Sequence, residues 1–214
     1  MKGKKNFSPE TVSSWEEHHH ETKDMIIDAA AKLFDQQGYH KTTMREIADA
    51  VDLTIGTLYH YIKNKEDVLF EICDRLTNEI EIISENNLEE MKSPEKRIRE
   101  VISGLLKFIV SHDHALSVFL KEHKNLSSAK FEIIRSKRKK YEAIVKNIFE
   151  EGIKNGVFRY VDPNIAAMGL FGMSNWAAYW LNADGRLSIV EITDIFSEMI
   201  INGILNREKP NKIK

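Results

Sequence analysis

The chain has 214 residues, 42% of them hydrophobic, which is enough for a sizeable core divided between one small and one larger unit. A formal net charge of −2 excludes a protein that coats nucleic acid through a broad basic face, so any DNA contact has to be local. The lone cysteine, Cys73, excludes an intramolecular disulfide, and no apolar run is long enough for a signal-peptide core or a membrane span; the expectation is a cytoplasmic protein with no membrane partner.

Residues 1–20 are polar, carry MKGKK and the triplet His18 to His20, and lack helical periodicity before Thr22, so they are expected to form a flexible arm. A histidine cluster isolated on such an arm is incidental rather than a metal site. Residues 21–67 are expected to be a helix-turn-helix domain. Thr43 and Glu46 make a capping-box start for a short helix whose inward positions are Ile47, Ala48 and Val51. Asp52 then breaks it, because the turn needs a residue that tolerates positive φ. Leu53 drops back to the core, and Thr54 caps a second helix in which Leu58 and Tyr61 face inward, leaving Ile55, Gly56, Thr57, Tyr59 and His60 outward.

Ala48 has to be small where the two helices approach closely. An ordinary helical hairpin would carry Lys or Glu on its outer face. Thr57, Tyr59 and His60 beside a glycine suit a surface that enters the major groove. The motif is not basic overall, since Lys41, Arg45, Lys63 and Lys65 stand against Glu46, Asp49, Asp52, Glu66 and Asp67, but its cations fall at loop and helix ends that would flank a groove.

Asn64 caps a further helix, apolar at Val68, Leu69, Ile72, Leu76 and Ile80, which the spacing predicts to run from Lys65 to about Asn86 and to link two domains. Helical periods follow over 93–111, 114–122, 127–155, 164–182 and 188–205, broken at Pro94, Asp113, Gly156, Pro163 and Gly185. No strand pattern appears. The predicted class is all-α, with a second helical domain over 68–206 and a tail over 207–214.

In that second domain, residues 165–180 (IAAMGLFGMSNWAAYW) are apolar almost all round. Burial on every side requires another layer. The amphipathic helix carrying Ile192, Ile195, Phe196, Met199, Ile200 and Ile204 supplies part of it, and either the rest of the monomer or a second subunit supplies the remainder. Phe108, Phe119, Phe131, Met168 and Phe171 are apolar material from which a ligand slot could be lined, and Arg135 and Arg138, which share a helix face with Ile134 and Tyr141, are open as its cations. The competing reading of the run RSKRKK is a solvated charged face, which suits Lys137 and Lys140 better. His112, Asp113 and His114 with Glu122 and His123 are the best material for a metal-dependent enzyme. A capped polar turn explains them equally, and no nucleophile, phosphate loop or carboxylate pair accompanies them, so no catalytic residue and no metal is assigned.

Gly38, Thr42, Thr43, Ile47, Ala48, Gly56, Thr57, Leu58, Tyr59, Tyr61, Lys65 and Glu66 resemble the N-terminal domain of the TetR family of bacterial transcriptional repressors, and IIDAAAKLF at 26–34 resembles that family's first helix. Asp52 stands where the family usually has Gly, and Tyr61 where Phe is common. The resemblance implies a homodimeric repressor of a palindromic double-stranded DNA operator, released by a small-molecule effector and needing no other cofactor. It implies that Thr43 and Lys65 grip phosphates, that Thr54, Ile55, Gly56, Thr57, Tyr59 and His60 approach bases and sugars, and that Arg45 does one or the other.

It also implies a dimer interface built by the last two helices, through Gly172, Trp176, Trp180, Phe196 and Ile200. Gly172, Asn175, Trp176 and Trp180, with Gly185 to Ser188, resemble the members that govern fatty-acid and steroid catabolism in response to acyl-CoA thioesters. An acyl-CoA effector follows from that resemblance, with Phe108, Phe119, Phe131, Arg135, Arg138, Tyr141, Met168 and Phe171 as the candidate ligand residues. A drug-responsive repressor of efflux genes, and a metal sensor built on His112, His114 and His123, are the alternatives within the same class.

Overall fold

The computed structural model describes residues 9–88, 91, 93–182 and 184–205. The helices are α1 (Pro9–Gln37), α2 (Met44–Ala50), α3 (Ile55–Tyr61), α4 (Lys65–Leu88), α5 (Pro94–Ser111), α6 (Asp113–Glu122), α7 (Ser128–Lys154), α8 (Pro163–Trp176) and α9 (Ile189–Ile204), with short 3-10 turns at His123–Asn125 and Ala177–Tyr179. Among the described residues no strand forms, and an isolated bridge pairs Phe158 with Leu205.

Local chemistry sets the helix ends. Reciprocal capping boxes start α2 at Thr43 and α9 at Ser188. Ser93 and Asp162 cap α5 and α8, each followed by a proline whose missing N–H is no loss at a first helical position. Gly38 (φ +89) and Gly156 (φ +72) take left-handed conformations after α1 and α7. Asp52 does the same between α2 and α3, at φ 54, as the turn required.

The expected arm is corrected in part. Residues 9–20 form the first turns of α1, while 1–8 and the tail over 207–214 lie outside the described residues. A helix already nucleated and packed over its C-terminal half extends at little cost and needs no apolar stripe of its own, which is why periodicity gave no sign of it.

The structure divides into a unit comprising the residues up to Cys73 together with Ser117–Leu126, and a unit comprising Asp74–Leu116 and the residues from Ser127 on. The boundary therefore falls inside α4 rather than at 67, because Val68, Leu69, Ile72 and Cys73 are buried core residues of the first unit. There they join Ile26, Ala30, Phe34, Ile47, Ala48 and Leu58. Tyr61, expected inward, is half-buried, with its ring stacked 4.6 Å from that of His19. Ile62 takes the core position instead, because α3 stops at Tyr61 and Ile62 turns to extended backbone at φ −141.

In the second unit α5 is central. Ile98, Ile102, Leu105, Leu106 and Phe108 are buried with Ile134, Val145 and Phe149 of α7, Leu170 of α8 and Ile192 of α9. Gly152 of α7 admits the buried Phe158 ring so closely that a Cβ there would lie 2.1 Å from it. Burial of α8 on every side is not what one chain provides: Ala167, Leu170 and Ser174 are buried, whereas Met168 is 65% exposed and Trp176 64%. Tyr179, Trp180, Val190, Ile195 and Met199 are exposed as well.

Candidate nucleic-acid interface and effector cavities

The reading head is built from short, well-capped helices. Thr43 Oγ1 accepts the Glu46 N–H (3.2 Å), and the Glu46 carboxylate accepts the Thr43 N–H (2.7 Å) and hydroxyl (2.8 Å). The backbone bond first, then the hydroxyl, hold the Glu46 carboxyl below its usual range. The single hydroxyl proton of Thr43 is thereby committed, so donation to a phosphate requires it to leave Glu46. On α3, Thr54 Oγ1 accepts the Thr57 N–H (3.1 Å), and the two hydroxyls are 2.8 Å apart.

Thr43, Arg45, Thr54, Gly56, Tyr59 and His60 are exposed, and Ile55 and Thr57 half-buried. A Cβ on Gly56 would meet nothing nearer than Thr54 Oγ1 at 3.8 Å. The fold itself does not require glycine there, so its absent side chain leaves room for whatever docks on α3.

Lys65 departs from expectation. Its ammonium donates to the carbonyls of Tyr39 (2.8 Å), His40 (3.1 Å) and Thr42 (2.9 Å), and sits 4.6 Å above the centroid of the Tyr39 ring. Burial pushes its pKa down, opposed in part by the charge of Glu46. Three N–H donors meet three carbonyls, so the ammonium expected to grip a phosphate is fully paired within the chain in this structure.

Sequence reasoning missed the part of the first unit contributed by α6 and the turn after it. Asp35 accepts from Ser117 Oγ and from Lys121 Nζ (3.2 Å), and His40 Nε2 is 3.1 Å from Asn125 Oδ1. Ordinary surface residues gave no signal of these partners.

The expected ligand residues are divided between the two units. Phe119 belongs to the first unit, its ring stacked on His123 at 5.5 Å. Phe108 is buried against His112 at 4.4 Å, and Phe131 is half-buried. Arg135 and Arg138 are exposed and ion-paired along α7 with Glu132 (3.0 Å) and Glu142 (3.4 Å), as a solvated face would have them. The remaining three do meet. Tyr141 lies 5.1 Å from Phe171, and Phe171 and Met168 line an open groove of about 180 Å³ between α7 and α8, beside Lys139 and Lys146.

A larger open cavity of about 320 Å³ lies beside α9, walled by Trp180, Leu187, Ile192, Ile195 and Phe196, with Arg186 as the charged residue in its lining. Gly185 and Leu187, singled out in sequence only for a resemblance, prove to line it. The His112 and His123 rings each have a partner: Glu79 lies 3.0 Å from His112 Nε2, and the Phe119 carbonyl is 2.7 Å from His123 Nδ1. No cluster of three or more metal-ligating side chains forms among the described residues, and among those residues no helix is long and apolar enough to cross a membrane.

Residues 26–72 match the family model described as bacterial regulatory proteins, tetR family, and residues 91–204 the model described as tetracyclin repressor-like, C-terminal domain. The chain is 26% identical over 185 residues to the fatty acid metabolism regulator protein of Bacillus subtilis (strain 168), covering 85% of this chain and 95% of that one. It is 24% identical over 185 residues to the transcriptional repressor KstR2 of Mycolicibacterium smegmatis, covering 85% of this chain and 90% of that one. AibR, in its complex with isovaleryl coenzyme A and operator DNA, superposes with a TM-score of 0.76 at 30% identity, over 83% of this chain and 97% of that one. The capped reading head and the helical domain behind it are thus matched in order along the chain, which belongs to the TetR family and is a DNA-binding transcriptional regulator, not an enzyme.

Proposed function

We propose that the protein is a homodimeric repressor that occupies a palindromic double-stranded DNA operator in the cytoplasm and leaves it when an acyl-CoA thioester binds. The observation that carries the dimer is the exposed apolar face of α8 and α9. Met168, Trp176 and Met199 stand open on it, and a Cβ on Gly169, Gly172 or Gly203 would meet nothing within 4 Å. A second copy using Gly172, Trp176, Trp180, Phe196 and Ile200 removes that surface from water, at about 1.5–3 kcal/mol for each large side chain fully covered. Two-fold symmetry then presents two α3 helices to successive major grooves, with Thr54, Ile55, Gly56, Thr57, Tyr59 and His60 toward base edges and Thr43 and Arg45 toward the backbone.

For the effector, support comes from the AibR complex with isovaleryl coenzyme A and from the fatty acid metabolism regulator among the relatives. The cavity beside Arg186 is apolar with a cation at its edge, which suits an acyl chain attached to phosphates. Its 320 Å³ falls at the low end of the roughly 300–1,000 Å³ usual for small-molecule sites, favouring a short or branched acyl group. Trp180 and Phe196 belong both to its wall and to the proposed dimer face, so the partner subunit closes its open side. A drug-type effector has no observation of its own here.

Sedimentation on and off DNA tests the assembly. Wild type should be a dimer that protects one palindromic site, and Trp176→Glu should give monomers that no longer hold it. Soluble Trp176→Glu that remained dimeric and bound normally would move the interface elsewhere.

A further inference from the structure

The turn that launches α2 is held from outside itself. After α1, Gly38 reverses the chain, Tyr39 packs its ring edge-on to Phe34 at 5.1 Å, and the Thr42 hydroxyl donates to the Gly38 carbonyl (3.0 Å) before Thr43 caps α2. The carbonyls of Tyr39, His40 and Thr42 converge on one point, filled by the ammonium of Lys65, the first residue of α4, at 2.8, 3.1 and 2.9 Å.

We infer that Lys65 is a positioning residue for operator recognition: it locks the 39–42 turn, and with it Thr43 and α2, to the start of α4, and does not itself neutralise a phosphate. This rests on the DNA-binding reading of α2 and α3, and adds the part that fixes their aim. Contact with a phosphate would require the ammonium to give up carbonyl bonds and leave the Tyr39 ring, exposing three acceptors that water would then have to satisfy. A point-like ammonium meets three convergent carbonyls, whereas the planar fork of arginine does not, so the geometry selects Lys over Arg at this position.

Salt dependence separates the two roles. Each cation that neutralises a phosphate contributes about 0.9 to the slope of log K against log salt, so two copies in a dimer contribute about 1.8. The experiment uses Lys65→Met and Lys65→Arg in the full-length protein, an operator selected from random duplexes by the wild type, and an unrelated duplex, with active protein titrated and helicity checked by circular dichroism.

Positioning predicts that both variants lose about tenfold or more in operator affinity, while affinity for the unrelated duplex and its salt slope stay within about 0.5 of wild type. A fall of about 1.8 in slope on both duplexes with Lys65→Met, together with near-normal binding by Lys65→Arg, would overturn the inference and make Lys65 a phosphate ligand. Unchanged operator affinity of the active fraction in both variants would also overturn it, by reducing the clamp to a matter of folding. Lys65→Arg keeps the charge and the stem, so it carries the test if Lys65→Met does not fold. Failure of the wild type to select any operator would instead sink the DNA-binding reading, which keeps the two outcomes distinct.

Discussion

Tyr59 presents its ring from α3 at 49% exposure, with nothing in the fold demanding an aromatic there. Tyr59→Ala should therefore weaken operator binding by about 1–3 kcal/mol while thermal unfolding stays near wild type, and an unchanged operator affinity would remove Tyr59 from the contact set. Gly152→Ala is the opposite case. A methyl 2.1 Å from the Phe158 ring forces buried side chains apart, and a loss of about 1–3 kcal/mol in unfolding experiments is expected.

The capping carboxylates Glu46 and Glu191 are held below the usual range by the amides and then the hydroxyls of Thr43 and Ser188. A depressed carboxyl contributes stability above its unfolded pKa of about 4.3 and loses it as the pH falls through the folded value. Glu46→Gln with Glu191→Gln should accordingly make the acid limb of the stability curve shallower, and an acid limb identical to wild type would show the caps have no part in it. The Thr43–Glu46 cap and the positive φ of Asp52 were legible in sequence because each depends on residues no more than three positions apart, whereas the matching Ser188–Glu191 cap was not singled out. The role of Lys65 was not, since its carbonyl partners are 23 to 26 residues distant and are brought to it only by packing.

At the scale of elements, periodicity located every helix after α3 to within a few residues, except that the expected 164–182 helix ends at Trp176, is followed by a 3-10 turn, Ala177–Tyr179, and leaves Trp180 to Asn182 outside any helix. What periodicity could not reveal is which apolar face a single chain leaves open. Residues 165–180 read as buried all round, and the structure supplies only one side of that burial. Nor does a charge pattern announce that Asp35 will receive Ser117 and Lys121, which brings Ser117–Leu126 into the first unit. Removing those bonds with Asp35→Ala should cost about 1 kcal/mol locally, read as about fivefold faster hydrogen exchange in amides 117–126. Exchange at the wild-type rate would mean that apolar packing alone holds the segment.

At the scale of the whole molecule, the all-α class and the order of a small reading head before a larger helical domain were legible, and the family matches fall on those same two parts. No loop or helix breaker marks the dividing line, because α4 does not end where the first core does: its first turns are buried there, and the same helix continues into the second unit. The effector residues were the least legible, since aromatic side chains at helical spacing serve a core as readily as a cavity. Of the eight expected, Met168 and Phe171 line a groove, and the larger cavity is walled by residues valued in sequence for other reasons.

A repressor released by its effector requires the ligand to prefer the DNA-incompetent conformer by about 1–3 kcal/mol, equivalent to about 5–150-fold in operator affinity. Fluorescence anisotropy of a labelled operator, with protein in slight excess and isovaleryl-CoA, free coenzyme A and isovalerate titrated in parallel, measures that coupling directly. The account predicts release within about that range by the thioester, much weaker effects from coenzyme A and the free acid, and a weaker thioester response in Arg186→Glu with operator affinity retained in its absence. Operator binding indifferent to every CoA thioester but abolished by a cationic drug would contradict it.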